Sequence, residues 1–219
     1  MDQVNVHIII QQFANSGVPM ESIILLLLFP LIATFVALLR NTVGIKTFGI
    51  YTPTIITFAF YQMGLKYGIA VFLIVIIVGM ATRFSLKQFR LLPLPRTAIN
   101  LTVVTLAVLL SLVFGGSLQR TGFAATAIFP LLIIISLGEK FVAVQIEKDS
   151  KQALILAAET LIVAIGGYFI LSWEALHIFI GQYPWVILLV IPFNFALGKW
   201  TGLRVREYHR FRDVIKKIQ

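Results

Sequence analysis

The sequence contains no cysteine, three histidines and few charged residues, and these shortages exclude several classes of function. Without cysteine the chain cannot form disulfides, thiolate metal sites or a cysteine nucleophile. Charged residues make up 12% of the 219 residues, about half the share found in an ordinary soluble domain. Because 59% of the residues are hydrophobic, disorder is excluded and a water-soluble globule is disfavoured.

Long apolar stretches indicate an integral membrane protein. A helix needs about 20 residues to cross a bilayer core of about 30 Å. The seven predicted spans are residues 22–39, 48–63, 65–82, 98–114, 122–137, 153–172 and 184–200. The second and the fifth are shorter than the others, so they cross the bilayer only if their helices continue through residues 44–47 and 138–141. Otherwise the count could be six.

Basic residues divide unevenly between the two sides of this arrangement. With seven spans, every Lys and Arg except Lys66 and Arg120 falls on one side. Because Lys and Arg accumulate in short cytoplasmic loops, the amino terminus is predicted outside and the carboxyl terminus in the cytoplasm. The net charge of +9 is attributed to membrane anchoring rather than to nucleic acid. The predicted fold class is an all-α polytopic bundle of seven transmembrane helices, with a short outer tail at 1–21, a membrane domain at 22–202 and a basic amphipathic tail at 203–219.

Turn residues predict how the spans are connected. Gly64 stands between two spans with room only for a tight hairpin, so spans two and three are expected to be neighbours. Residues 92–95, Leu-Pro-Leu-Pro, are predicted to form a rigid loop because each proline lacks an amide donor. The acidic residues Glu139, Glu147 and Asp149 are expected in a solvated loop, which could alternatively dock a cytoplasmic protein.

Three segments carry a family resemblance. They are GIKTFGIYTP at 44–53, LPLPR at 92–96 and GKWTGLR at 198–204. In order and spacing they resemble the bacterial seven-transmembrane domain usually fused to an inactive transglutaminase-like domain, over residues 17–211. The resemblance implies that the protein lies in a bacterial inner membrane and is associated with a cytoplasmic ATP-grasp peptide-ligase-like protein. The family's transglutaminase-like part precedes the membrane domain, whereas here residues 1–21 precede the first predicted span.

The usual components of an enzyme site are missing from the sequence. His7, His177 and His209 lie outside the predicted spans, so they cannot build a metal triad or a Ser-His pair within the membrane. There is no H-E-x-x-H, G-x-S-x-G or phosphate-binding glycine loop. We therefore predict a non-enzymatic chain with no catalytic residues, no cofactor and no metal.

Glu159 is the one ionisable residue well inside a predicted span. An ionised carboxylate at that depth is costly, so Glu159 is expected to be protonated. It could carry a proton or bind a cation, together with carbonyls freed near Pro53. The favoured interpretation is a neutral acid that donates a hydrogen bond to a neighbouring helix, with Asn194 as its partner.

Two functions follow from these observations. The favoured one is a scaffold or sensor that recruits a cytoplasmic protein through its basic face, and the alternative is a secondary transporter or channel that uses Glu159 and proline-broken helices. A transporter should have a polar cavity at Glu159, whereas a scaffold should have a packed bundle and a functional cytoplasmic surface. The residues predicted to face the partner or anionic membrane lipid are Arg83, Arg90, Arg96, Arg204, Arg206, Arg210, Arg212, Lys216 and Lys217.

Overall fold

The computed structural model describes residues 10, 12, 15–89, 92–117, 128–147 and 149–199, and the elements in these ranges are all helical. Five helices are long and apolar enough to cross a membrane, and the number is six if a bent helix pair within 174–198 is counted as one span. The predicted all-α membrane architecture is confirmed. The helices are α1 Met20–Leu38 with a π-helical turn at Leu39–Val43, α2 Tyr51–Met63, α3 Leu65–Leu86, α4 Pro93–Ser117, α5 Ile128–Glu147, α6 Ser150–Leu171, α7 Glu174–Gln182 and α8 Val190–Gly198.

Helix α2 is shorter than the second predicted span. Its 13 residues extend about 20 Å at about 1.5 Å each, against a bilayer core of about 30 Å. The condition for this span, that its helix continues through 44–47, is not met, because Gly44 takes a φ of 84° and ends the π-helical turn, and residues 44–47 are not helical. A positive φ suits glycine and interrupts a right-handed helix.

The turn between α2 and α3 is confirmed as a tight hairpin. Gly64 alone separates the two helices and has a φ of 83°, a value that glycine adopts without steric cost. Helices α2 and α3 are neighbours, because the Phe60 ring occupies the space next to Gly68 where a Cβ atom would overlap it.

Helix α4 begins at Pro93, inside the segment predicted as a rigid loop. Pro93 and Pro95 lie in the first helical turn, where backbone amides have no intrahelical acceptor and the fixed φ of proline fits the helix. The amide of Arg96 donates to the carbonyl of Leu92 at 3.2 Å. The loop prediction is therefore wrong from Pro93 onward, since proline obstructs a helix only beyond its first turn.

Helix α5 continues past residue 137, the predicted end of the fifth span, and reaches Glu147. The extension through residues 138–141 is confirmed. Glu139 and Glu147 lie on this helix, so the prediction that they occupy a loop is wrong, while Asp149 does lie in the short connection before α6. Residues 122–127, the predicted start of the span, are outside the described residues.

The segment after α6 contains a helix that the sequence analysis missed. Helix α7 has nine residues and makes an angle of 99° with the helical segment Pro184–Gly198. The break falls at Tyr183, with φ −128° and ψ 64°, just before Pro184, because a residue preceding proline disfavours helical geometry. The seventh predicted span thus begins as a 3₁₀ helix, Pro184–Leu189, and continues as α8.

The chain divides into two compact units, a central unit, Thr47–Tyr168, and a terminal unit, Met1–Lys46 with Phe169–Gln219. The central unit holds α2 to α5 and most of α6 around one hydrophobic core, whose largest fully buried side chains are Phe60, Phe72 and Phe141. Small residues bring its helices close together: a Cβ at Gly79 or at Gly138 would lie 3.8–3.9 Å from the Asn100 amide. Such close approach is typical of membrane helix packing.

In the terminal unit, α1 packs against α7, α8 and the 3₁₀ helix. The Nδ2 of Asn194 on α8 donates to Oγ1 of Thr34 at 2.7 Å and to the carbonyl of Val190 at 2.9 Å. Thr34 in turn donates to the carbonyl of Pro30 at 2.8 Å. A hydrogen-bonded chain therefore joins α8 to α1 beside the proline inside α1.

Candidate functional site at the basic end of the central unit

Five helix ends of the central unit meet at one surface, which we call the basic end. It comprises the starts of α2, α4 and α6 and the ends of α3 and α5, within residues 47–52, 83–89, 92–96, 140–147 and 149–156. Two cavities open there. The described basic side chains in these ranges are Arg83, Lys87, Arg96, Lys140 and Lys151.

A short loop ahead of α2 is held in place by hydroxyl groups. The amide of Phe48 donates to Oγ1 of Thr160 on α6 at 3.3 Å, and both residues are buried. Thr47 donates through Oγ1 to the carbonyl of Gly49 at 2.6 Å. Gly49 has a φ of 76°, which lets the chain turn into α2 without the steric cost that a Cβ would add. The loop is therefore fixed to α6 before α2 begins.

Lys140 connects this loop region to α5. Its Nζ donates to Oγ1 of Thr52, in the first turn of α2, at 2.7 Å. Thr52 is buried, whereas Lys140 is exposed. The aliphatic stem of a lysine can lie along apolar surface while its ammonium group stays near water. Lys140 thus holds α2 against α5 at the rim of the basic end.

The first cavity, of about 350 Å³, is a groove between this loop, α5 and α6. We call it the loop groove. Its apolar lining comes from Phe48, Ala143, Val144 and Leu156, and charged groups of both signs, including Glu147, stand at its edge. An apolar centre with a polar rim is the composition of protein docking surfaces.

The second cavity, of about 520 Å³, is lined by α3 and by Asp149 and Ser150 at the start of α6. We call it the α3 pocket. Ile77, Ala81 and Phe84 form an apolar wall, and Arg83 and Lys87 stand toward its basic end. Arg83 also interacts electrostatically with Arg96 and with Asp149, which lines the same pocket. The pocket is thus apolar along the candidate membrane span and charged where that span ends.

On the helices that meet at the basic end, several buried polar atoms have no hydrogen-bond partner in the described parts of the chain. They belong to Arg83 (Nη1), Arg96 (Nε), Asn100 (Oδ1) and Gln145 (Nε2 and Oε1). Asn100 and Gln145 are 2% and 1% exposed. Buried polar atoms are usually paired, so these atoms are expected to meet water, an ion or a ligand.

Three residues predicted as an intramembrane polar site are found in different environments. Pro53 is buried in the first turn of α2, where a helix needs no amide donor, and its carbonyl accepts from Oγ1 of Thr57 at 2.9 Å. Glu159 lies within α6 and lines neither the loop groove nor the α3 pocket. Asn194 uses its Nδ2 within the terminal unit, and its pairing with Glu159 stays a prediction.

Of the predicted partner or lipid surface, Arg83 and Arg96 lie at the basic end. Arg96 also donates to the carbonyl of Phe89 at 3.3 Å. Arg90 and the tail residues Arg204, Arg206, Arg210, Arg212, Lys216 and Lys217 are outside the described residues.

Sequence analysis missed Asn100, Gln145 and Lys140 as functional candidates. Asn100 and Gln145 did carry a signal, because an amide at a position facing other helices is uncommon in an apolar helix. The approach of Asn100 to Gly79 and Gly138 could not be foreseen from spacing along one helix. Among the described residues, no group of three or more His, Cys, Asp or Glu could hold a metal ion.

Comparison with known proteins agrees with this architecture. No curated protein and no solved structure matches the chain. A family model described as seven transmembrane helices usually fused to an inactive transglutaminase matches residues 8–215. In the described residues, five helices are long and apolar enough to span, or six if the bent pair within 174–198 is one span, and α2 is shorter than these. The chain therefore belongs to the family of seven-transmembrane-helix domains that are usually fused to an inactive transglutaminase.

Proposed function

We propose that this membrane protein is a non-catalytic scaffold or sensor whose basic end faces the cytoplasm and recruits a soluble protein. The observation that carries the proposal is the loop groove, an apolar cavity with a charged rim at the end of the helices. Its walls are held in place by the Phe48–Thr160 and Lys140–Thr52 hydrogen bonds, so a partner would meet a preformed surface, which lowers the entropy cost of binding.

Size and chemistry of the loop groove suit one large apolar side chain of a partner. A cavity of about 350 Å³ lies at the small end of the range of ligand pockets. Lys140 and Glu147 at its rim offer one charge of each sign, which favours a partner with mixed charge around an apolar anchor. The partner class implied by the family resemblance is a cytoplasmic ATP-grasp peptide-ligase-like protein.

The arrangement supports a scaffold more than a transporter. Both described cavities open at the basic end, and Glu159 lines neither. The interior of the central unit is filled by side chains such as Phe60, Phe72 and Phe141, all at most 1% exposed. A transport route through this unit would require these aromatic side chains to move.

The proposal is tested by filling the loop groove. Full-length chain with Ala143→Trp, at an exposed groove position on α5, is compared with wild type by affinity capture from native membranes and quantitative mass spectrometry. The matched control is Ala98→Trp, at an exposed alanine on α4 that lines neither cavity. We expect one soluble protein to be enriched with wild type and Ala98→Trp and lost with Ala143→Trp. Equal capture by both tryptophan variants would reject the loop groove as the docking surface.

A further inference from the structure

We propose that the α3 pocket is a binding site for one anionic phospholipid, with the headgroup phosphate at Arg83 and Lys87 and an acyl chain along the apolar wall of α3. The site is distinct from the loop groove. It also differs from the basic tail at 203–219, because it lies on the membrane domain itself.

The apolar wall matches a lipid chain in position and direction. Ile77, Ala81 and Phe84 are spaced by four and three residues, so they share one face of α3. Ile77 and Phe84 are 59% and 76% exposed. This face belongs to the candidate membrane span Leu65–Leu86, where the surrounding medium is hydrocarbon.

The headgroup end of the pocket carries a net positive charge. Arg83 lies in the last turn of the same span and Lys87 follows it, while Asp149 contributes one negative charge to the lining. Lipid phosphates lie at the depth where an apolar span ends, so phosphate and cations would meet at the same level of the bilayer. Arginine is suited to phosphate because its planar guanidinium donates several hydrogen bonds in fixed directions.

The unpaired donors behind Arg83 supply a second, independent argument. Asn100 on α4 packs against Gly79 on α3, so these two residues lie at the same level. Arg83 is one helical turn from Gly79 toward the basic end. Arg96 is likewise one turn from Asn100 toward the basic end. Gln145 is one turn beyond Phe141, which also lies beside Gly79. Arg83, Arg96 and Gln145 therefore occupy one level of the packed helices.

Each of these three residues has a buried donor nitrogen without an acceptor in the described parts of the chain. Of the three, Arg83 lines the α3 pocket and can donate to a phosphate oxygen there, while the donors of Arg96 and Gln145 suit water that bridges to it. Asn100 Oδ1 and Gln145 Oε1 are unpaired acceptors nearby, which suit bridging water.

Asp149 offers a way to distinguish an anionic headgroup from a zwitterionic one. Its carboxylate lines the pocket with the two cations and repels a phosphate. Removing that charge must strengthen binding of an anionic lipid. A zwitterionic headgroup would behave oppositely, because its ammonium group would lose Asp149 as a partner.

The experiment measures lipid binding to the purified full-length chain in a nonionic detergent. Phosphatidylglycerol is titrated and bound lipid is counted by native mass spectrometry, at an ionic strength that screens loosely bound lipid. We expect one retained phosphatidylglycerol per chain. The double variant Arg83→Gln/Lys87→Gln should bind it at least about tenfold more weakly, the loss expected when a charge-assisted hydrogen bond to phosphate is removed.

Matched variants separate the lipid from other anions. Lys66→Gln removes an exposed cation from the opposite end of α3 and should leave binding unchanged. Ala81→Trp should weaken binding by blocking the apolar wall without altering charge, and Asp149→Asn should strengthen it. Since Ala81 and Lys87 are exposed, their variants test the proposal even if Arg83→Gln does not fold.

Three results would overturn the proposal. Binding unchanged in both Ala81→Trp and Lys87→Gln would exclude the α3 pocket. Displacement of the lipid by inorganic phosphate at equal concentration would show a site for free anions instead. Tighter binding of phosphatidylethanolamine, weakened by Asp149→Asn, would show a zwitterionic ligand.

Discussion

The Oγ1 atom of Thr57 on α2 lies 2.5 Å from the position that a Cβ atom would take on residue 167 of α6. The same oxygen donates to the carbonyl of Ala164 at 3.2 Å. Gly167 is therefore required for α2 to approach α6 closely enough to form this hydrogen bond. Thr57 is fully buried, so the displaced side chain would have no free space to enter.

We predict that Gly167→Ala destabilises the protein. The added methyl would overlap Thr57, and overpacking of this kind costs about 1–3 kcal/mol. Thermal unfolding in detergent should show a lower melting temperature. Gly198→Ala is the control, since a Cβ there meets nothing within 4 Å. Thr57→Ala should partly relieve the overlap, so the double variant should lose less unfolding free energy than the two single variants together. A loss equal to or larger than that sum would contradict the explanation.

A second prediction concerns the hydrogen bond between Asn194 and Thr34, at 2.7 Å. Because lipid offers no water to replace the lost partner, Asn194→Leu should cost about 0.6–2 kcal/mol, the range measured for hydrogen bonds between membrane helices. Thr34→Val should cost a similar amount. The double variant should lose less than the sum of the two losses, since both remove the same bond. Strict additivity in the measured unfolding free energies would show that the bond contributes nothing.

Glu159 distinguishes the scaffold from a transporter. If it is a neutral hydrogen-bond donor, Glu159→Gln keeps its shape and its donor, and capture of the soluble partner and the melting temperature should remain as in wild type. Glu159→Leu should lower stability by about 0.6–2 kcal/mol. A Gln variant that folds normally but loses the cellular phenotype would indicate proton or cation transfer and favour transport.

Orientation can be tested by cysteine labelling, because the chain has no native cysteine. Lys66 and Lys151 are exposed at opposite ends of the central unit. With the basic end in the cytoplasm, Lys66→Cys should react with a membrane-impermeant maleimide in intact cells. Lys151→Cys should react only after permeabilisation, and its labelling in intact cells would reverse the proposed topology.

Some structural details can be predicted from the sequence because their causes are local. The spans follow from the cost of placing polar residues in hydrocarbon, which depends on each residue and its neighbours. Gly64 specifies a hairpin because glycine alone tolerates its φ of 83°. The same local argument was incomplete at Pro93, since proline has opposite effects in the first turn of a helix and in its interior.

By itself, the sequence determined that this is a helical membrane protein of a seven-helix family, with basic residues collected at the helix ends. Only the tertiary structure decided which polar groups meet. Lys140 and Thr52 are 88 residues apart in the chain, and Phe48 and Thr160 are 112 apart. The mean hydropathy of a span does not depend on how its helix is rotated about its axis. Each of these hydrogen bonds, in contrast, forms at only one rotation and one depth of the helix. Close packing at Gly68 and Gly167 helps to select that arrangement, because a Cβ atom there would overlap the facing Phe60 or Thr57 side chain.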